Sequence, residues 1–460
     1  MSGSGGVVGA SAAERRSGGP VARWLLLSAA AVAALLAVER IGSDQERLEV
    51  AAARDTALRR IVTGIPGTYR HTIARIDLSL EDARARAAAH ADQWLMHERV
   101  AYAYLERARL SGSFDDYAAA GAALDRAFAV AAPGTGPHAT RAALDFTMHR
   151  LDGAERQLGL IDGYAVPPDR SHRAELTAMR GDIAFYRGDY AGALAAYDAA
   201  DAIEPGTADF RRGVYHFRTG RFDLAEAAYD RVERGERLPS PQFRSFIALQ
   251  RGILDLERGR RDEALVHFRE ADRLFPGHWL VEEHIAEVAA LKGDLDGAAA
   301  RYRDIVRRTG HPEFMDALAG IARRRGDRAA EAQWTRRAAA AWQRRLAQFP
   351  QAAYGHALDH CRGKGDWRCA LALAERNHAA RPYGEAKIAL ARALLHNRRP
   401  GEARAMIESV LASPWRTADL HAAAAEIYAA TGDAAAAAAQ RRLAIRIDPF
   451  ALEPPAPLAG

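Results

Sequence analysis

Along the central part of this chain, apolar residues recur at helical spacing in pairs of short runs, each pair joined by a polar turn. From Gly181 to Pro205 the set is Gly181, then Gly188-Asp189-Tyr190, Ala193, Tyr197, Ala200 and Pro205. The spacing within each run predicts helix, the Gly-Asp step predicts a turn, and the closing proline cannot continue a helix. The set returns as Gly213, Gly220, Phe222, Ala225 and Tyr229, then as Gly252, Gly259, Ala264, Phe268, Ala271 and Pro276. It returns again near the C-terminus as Tyr428, Gly432, Ala437, Ala444 and Pro449. Alternating β-branched runs hardly occur, so the expected class is all-α.

Paired helices repeating in this way resemble the tetratricopeptide-repeat superfamily, over roughly residues 91–451. The resemblance implies a right-handed α-solenoid of about ten stacked helix hairpins. Regular units are expected at about 174–207, 206–239, 245–278, 279–312, 351–384, 384–417 and 418–451, with a weaker one at 312–345. Two degenerate units precede them at about 91–133 and 135–168, the second with His149 where the turn glycine normally sits. Gly181, Gly213 and Gly252 fall where the two helices of a unit meet. Ala193, Ala225, Ala264, Ala298, Ala370 and Ala403 supply the facing small residue, and Tyr197, Tyr229, Phe268 and Tyr302 fill the gap beyond. A large residue at Ala225 should therefore disturb two units.

The N-terminal region reads differently. Residues 1–20 are rich in Gly, Ser and Ala and are expected to be disordered. Trp24 to Val38 holds no charge, and residues 21–41 at about 1.5 Å per residue reach about 31 Å, the thickness of a bilayer core. They predict a transmembrane signal-anchor helix with Arg23, Glu39 and Arg40 reaching the headgroups. The short basic leader places the array on the periplasmic side of a cell inner membrane, although Lys and Arg counts on the two flanks are balanced. Residues 43–90 form a helical stalk and cap, with Leu48, Ala52, Leu58 and Ile61 on one stripe, and 452–460 a disordered Pro-rich tail.

Composition narrows the function. Lys and Arg number 64 against 59 Asp and Glu, too even a balance and too dispersed for a nucleic-acid face. Two cysteines exclude a disulfide framework. The segment Gly363-Lys364-Gly365 lacks the rest of a phosphate loop, neither Gly-x-Ser-x-Gly nor His-Glu-x-x-His occurs, and no enzyme activity or cofactor is expected. Carboxylate pairs such as Glu282-Glu283 read as solvated faces. His356, His360, Cys361 and Cys369 are the one set of metal-ligand types; a metal site, two core thiols and a Cys361–Cys369 disulfide are the alternatives.

In the resembled superfamily the concave face is lined by positions 2, 5, 9, 12 and 13 of each first helix. Mapped here, these give Asp182, Phe185, Tyr186, Phe210, Val214, Phe217, Arg218, Phe246, Leu249, Ile253 and Leu256. That composition implies an apolar, aromatic groove suited to an amphipathic helix or an extended apolar peptide. The Lys and Asn used by chaperone-binding members are replaced by Ala178 and Asp182, Phe210 and Val214, and Leu249 and Ile253. The expected function is a membrane-anchored scaffold for protein–protein interaction in assembly of a bacterial envelope complex. The alternative is an accessory of envelope polysaccharide or polymer handling, with glycan in the groove.

Overall fold

In the computed structural model, residues 67–235 and 240–452 are described. The expected leader, the 21–41 helix, the stalk up to residue 66 and the tail from 453 lie outside them. Among the described residues there are twenty-one α-helices and no strand, and no helix is long and apolar enough to cross a membrane. A first helix, α1 (Tyr69–Ala89), packs against the first of ten hairpins. The hairpins are α2 (Trp94–Ser111) with α3 (Phe114–Val130), α4 (His138–Thr147) with α5 (Leu151–Asp162), and α6 (Arg170–Tyr186) with α7 (Tyr190–Ile203). Next come α8 (Asp209–Arg218) with α9 (Phe222–Gly235), α10 (Pro241–Leu256) with α11 (Arg261–Leu274), and α12 (Trp279–Leu291) with α13 (Leu295–Thr309). The last four are α14 (Pro312–Arg324) with α15 (Arg328–Gln348), α16 (Pro350–Gly363) with α17 (Trp367–Ala380), α18 (Gly384–His396) with α19 (Pro400–Leu411), and α20 (Ala418–Ala430) with α21 (Ala434–Ile447).

The repeated residues explain the hairpin. A β-carbon added at Gly252 would lie 2.4 Å from the Phe268 ring, and one at Gly181 or Gly213 would lie 2.6 Å from Tyr197 or Tyr229. Each ring thus lies directly on the glycine of its own unit, and rings at this place in a unit also reach forward. Phe268 stacks on His284 and Tyr302 on Phe314, each in the following hairpin. The Gly-Asp turn works in two steps. Gly188 takes a positive φ of 78°, which ends the first helix. Asp189 then accepts a hydrogen bond from the Gly192 amide at 2.8 Å and caps the second. Asp294, Asp327, Asp366 and Asp433 do the same at 2.8–3.0 Å.

The stack also closes on itself. The Trp279 indole donates to the Leu110 carbonyl at 2.8 Å, and the Tyr69 amide to the Pro276 carbonyl at 3.1 Å. His311 packs under Gly112, where a β-carbon would lie 2.4 Å from its ring. Farther along, the Gly384 amide donates to the Tyr190 hydroxyl at 2.9 Å, and the Arg416 amide to the Arg218 carbonyl at 2.9 Å. The second hairpin meets the eighth, the third meets the ninth and the fourth meets the tenth. One turn of the superhelix is therefore six hairpins, and the second turn lies directly against the first.

Candidate partner-binding channel

This closure decides the fate of the expected groove. Phe185, Tyr186, Phe210, Val214, Phe217, Phe246, Leu249 and Asp182 are all buried, while Arg218, Ile253 and Leu256 are half-buried. Phe185 packs 6.0 Å from Trp415 and Tyr186 lies 5.0 Å edge-on to Tyr383, ring to ring. Trp415 and Tyr383 belong to the returning turn. Among the described residues this stripe is therefore not an open apolar groove: Tyr383 and Trp415 of the returning turn cover Phe185 and Tyr186, while Phe210 packs on Tyr229 and Phe246, and Phe217 on Phe222, from neighbouring helices. With these rings covered, the expected platform for glycan is also missing.

Asp182 serves the core. It accepts from Arg211 Nε at 2.8 Å and from the Tyr197 hydroxyl at 2.9 Å, while Arg211 also pairs with Glu175 at 3.2 Å. Burial pushes the Asp182 carboxyl up to about 6, against the pull of Arg211. The His/Cys set does not converge on a metal either. Cys361 and Cys369 form a disulfide across the eighth hairpin with Cα atoms 5.8 Å apart. His360 Nδ1 is engaged by Asp316 at 2.6 Å, and His356 stacks on Trp342.

What the first helices of the fifth to tenth hairpins do carry is charge. Glu257 follows α10, Glu283 and Glu287 lie on α12, Glu313 on α14, Asp359 on α16, Glu385 on α18, and Asp419 and Glu426 on α20. These eight carboxylates are attended by four guanidiniums. Arg218 reaches Glu257 at 3.9 Å and Glu385 at 3.7 Å, and Arg345 meets Glu313 at 2.5 Å. Arg362 meets Asp359 at 2.8 Å, and Arg392 meets Asp419 at 2.5 Å and Glu426 at 3.6 Å. His284 sits between Glu287 at 2.9 Å and Glu283 at 3.1 Å. Although burial opposes its charge, these two carboxylates outweigh it and raise the ring above the ordinary imidazole value. Glu283, His284 and Glu287 are the set whose ligand atoms come within 4.8 Å of one another among the described residues. The two carboxylates already satisfy both ring nitrogens.

Carboxylates on helices distant in sequence feel each other electrostatically. Burial pushes Glu257 up to about 7; Arg218 draws it down while Glu385, Asp419 and Glu287 push it further up. Glu283 is likewise pushed to about 7 by burial, with Glu287 and Glu313 adding to it. Asp359 is raised by burial, and Glu385 and Asp419 reinforce the shift. Burial is the first cause of these shifts, and the neighbouring carboxylates add to it. Reading Glu282-Glu283 as a solvated face misses this: Glu282 turns to Arg308, but Glu283 turns inward. Extending the concave positions from the three central units to the later ones would have found Glu283, Glu287, Asp359 and Glu385.

A ring over a glycine in the third to fifth hairpins, an aspartate capping the second helix in five hairpins and buried small residues between helices follow one pattern along the stack. The fold is a tetratricopeptide-type solenoid. No family model matches the chain, and no curated protein matches it. Solved structures similar to it include yeast Tom70, at 15% identity over 88% of this chain and 95% of that one, with a TM-score of 0.39. A tetratricopeptide repeat protein from Parabacteroides merdae is similar at 15% identity over 53% and 93%, TM-score 0.32. Pseudomonas aeruginosa pilF is similar at 15% identity over 45% and 94%, TM-score 0.28. Scores this low carry no argument about function, and the fold rests on the hairpin geometry itself.

Proposed function

We propose that this chain is a non-catalytic docking scaffold that holds a lysine- or arginine-rich segment of a partner protein along the first helices of its fifth to tenth hairpins. One observation carries the reading: eight carboxylates stand on six successive first helices or at their ends with four guanidiniums among them, and Glu385 and Asp419 bear electrostatically on both Glu257 and Asp359. A basic segment would supply the missing charge and release the protons that Glu257 and Glu283 hold near neutrality. The uncharged run from Trp24 to Val38 supports anchoring of the array to a membrane. The Cys361–Cys369 disulfide suits an array outside the cytoplasm, in an envelope assembly.

The test is anisotropy of a fluorescent twelve-residue lysine/arginine peptide titrated with the full chain. Binding should weaken about tenfold or more when Glu283→Gln, Glu385→Gln and Asp419→Asn are combined, and should fall steeply with salt. Equal affinity for the triple variant, or tighter binding of an uncharged apolar peptide, would remove the reading.

A further inference from the structure

The joint between the two superhelical turns carries a feature that the docking role does not use. At the end of α4, where most other hairpins place glycine, stands His149, with a positive φ of 58°. A left-handed backbone costs a non-glycine residue about 1 kcal/mol or more. Its ring is buried, with Nε2 3.0 Å from Arg381 Nη1 and Nδ1 3.3 Å from the Gln351 carbonyl. A guanidinium has only donors, so Nε2 must offer a bare lone pair and Nδ1 must carry the proton. The closed joint requires neutral His149.

Arg381 is buried too, and among the described residues no carboxylate lies within ion-pair distance of it. It donates to Asn377 Oδ1 at 3.1 Å and lies over the rings of Tyr186 and Tyr383. The other groups facing His149 are His356 from α16 and the Tyr186 ring from α6. On its own side, the neighbouring Arg150 is already paired with Asp145. A proton added to His149 would thus meet a second cation 3.0 Å away, with no acid to offset it.

We propose that this joint is an acid-sensitive clasp, which parts when His149 gains a proton opposite Arg381 and uncovers the aromatic wall of Phe185, Tyr186, Tyr383 and Trp415. Two further histidines farther along the seam, where α1 and the first hairpin meet the sixth and seventh, act in the same direction. His278 stacks on Tyr69 at 5.5 Å, beside Phe275, Trp279 and Arg308. His311 packs on Trp279 and Phe314 beneath Gly112, near Arg345 and Glu313. Burial holds His149 well below the ordinary imidazole range, with Arg381 adding to the effect, and burial lowers His278 to about 3 and His311 to about 4. Once parted, each ring would regain an ordinary value of about 6.5. The closed form then binds fewer protons than the open one. Below about pH 6.5, closed-to-open ratio therefore falls by up to about tenfold per pH unit for each histidine.

The experiment places nitroxide labels at exposed Leu160 and Lys364, on the second and eighth hairpins of the full chain, and measures their separation by pulsed EPR from pH 7.5 to 4. Native thiols do not interfere, since both are in the disulfide. A single short distance at pH 7.5 should give way to a longer population on acidification, with far-UV helicity unchanged. His149→Gln, neutral throughout, should hold the short distance to a pH at least one unit lower. If that variant loses helicity, His149→Asn, which tolerates the backbone angle better, takes its place. An unchanged distance at pH 4, an identical response in the variant, or parting only together with loss of helix would each overturn the proposal.

Discussion

At the scale of single residues, contacts within a hairpin and backbone angles set the expectations. Adding a methyl at Gly252 drives a β-carbon to 2.4 Å from the Phe268 ring, which is itself fully buried and cannot swing away. Gly252→Ala should therefore cost about 1–3 kcal/mol, read as a lower midpoint in urea with the slope unchanged. Arg398 poses the opposite case, because it is exposed and holds a positive φ of 61° that a glycine would adopt without strain. Arg398→Gly should raise stability by about 1 kcal/mol, and a loss of stability by thermal unfolding would show that the side chain matters there. Asp182 was expected to face a ligand, yet it holds Arg211 and Tyr197 in the core. Sequence position placed it on the first helix correctly but could not distinguish an inward-facing carboxylate from a partnered one, since its partner Arg211 comes from the next unit.

At the scale of the element, the helix pairs were legible because their determinants are local. Glycine under ring, alanine between helices and Gly-Asp at the turn all act within about thirty residues of each other. Ala225 illustrates how far that locality extends: it is fully buried in a cluster with Phe217 of its own hairpin and Leu254 of the next. Ala225→Leu should cost about 1–3 kcal/mol and should increase amide exchange in both α8 and α10, not in α8 alone. The disulfide of the eighth hairpin closes a short loop between Cys361 and Cys369. On chain-entropy grounds its reduction should cost about 2.5 kcal/mol, seen as a lower unfolding midpoint with reductant.

At the scale of the whole molecule, closure after six hairpins was not legible in the sequence. Superhelix pitch results from small rotations between units, and no single residue states it. The contacts that fix it, Tyr190 with Gly384 and Arg218 with Arg416, join residues about 200 apart with nothing in the local pattern to pair them. For that reason the local pattern reads the stripe from Phe185 to Leu256 as an open groove and does not single out the acidic first helices of hairpins five to ten. Those helices carry a pH prediction of their own. Glu257 and Glu283 sit near 7, so a basic peptide should bind more tightly as pH rises from about 6 to 8. Calorimetry in buffers of different ionisation enthalpy should show proton release on binding at pH 7.

Closure itself is tested most directly at the amides that open α18 and the segment before α20. In a solenoid whose turns do not touch, the Gly384 and Arg416 amides would face water and exchange within seconds. Here they donate to Tyr190 and to the Arg218 carbonyl, six hairpins earlier. Hydrogen exchange at neutral pH should show both amides slowed by about a hundredfold or more, with Tyr190→Phe releasing Gly384 while Arg416 stays protected. Free exchange at both sites in the parent chain would contradict the closed superhelix.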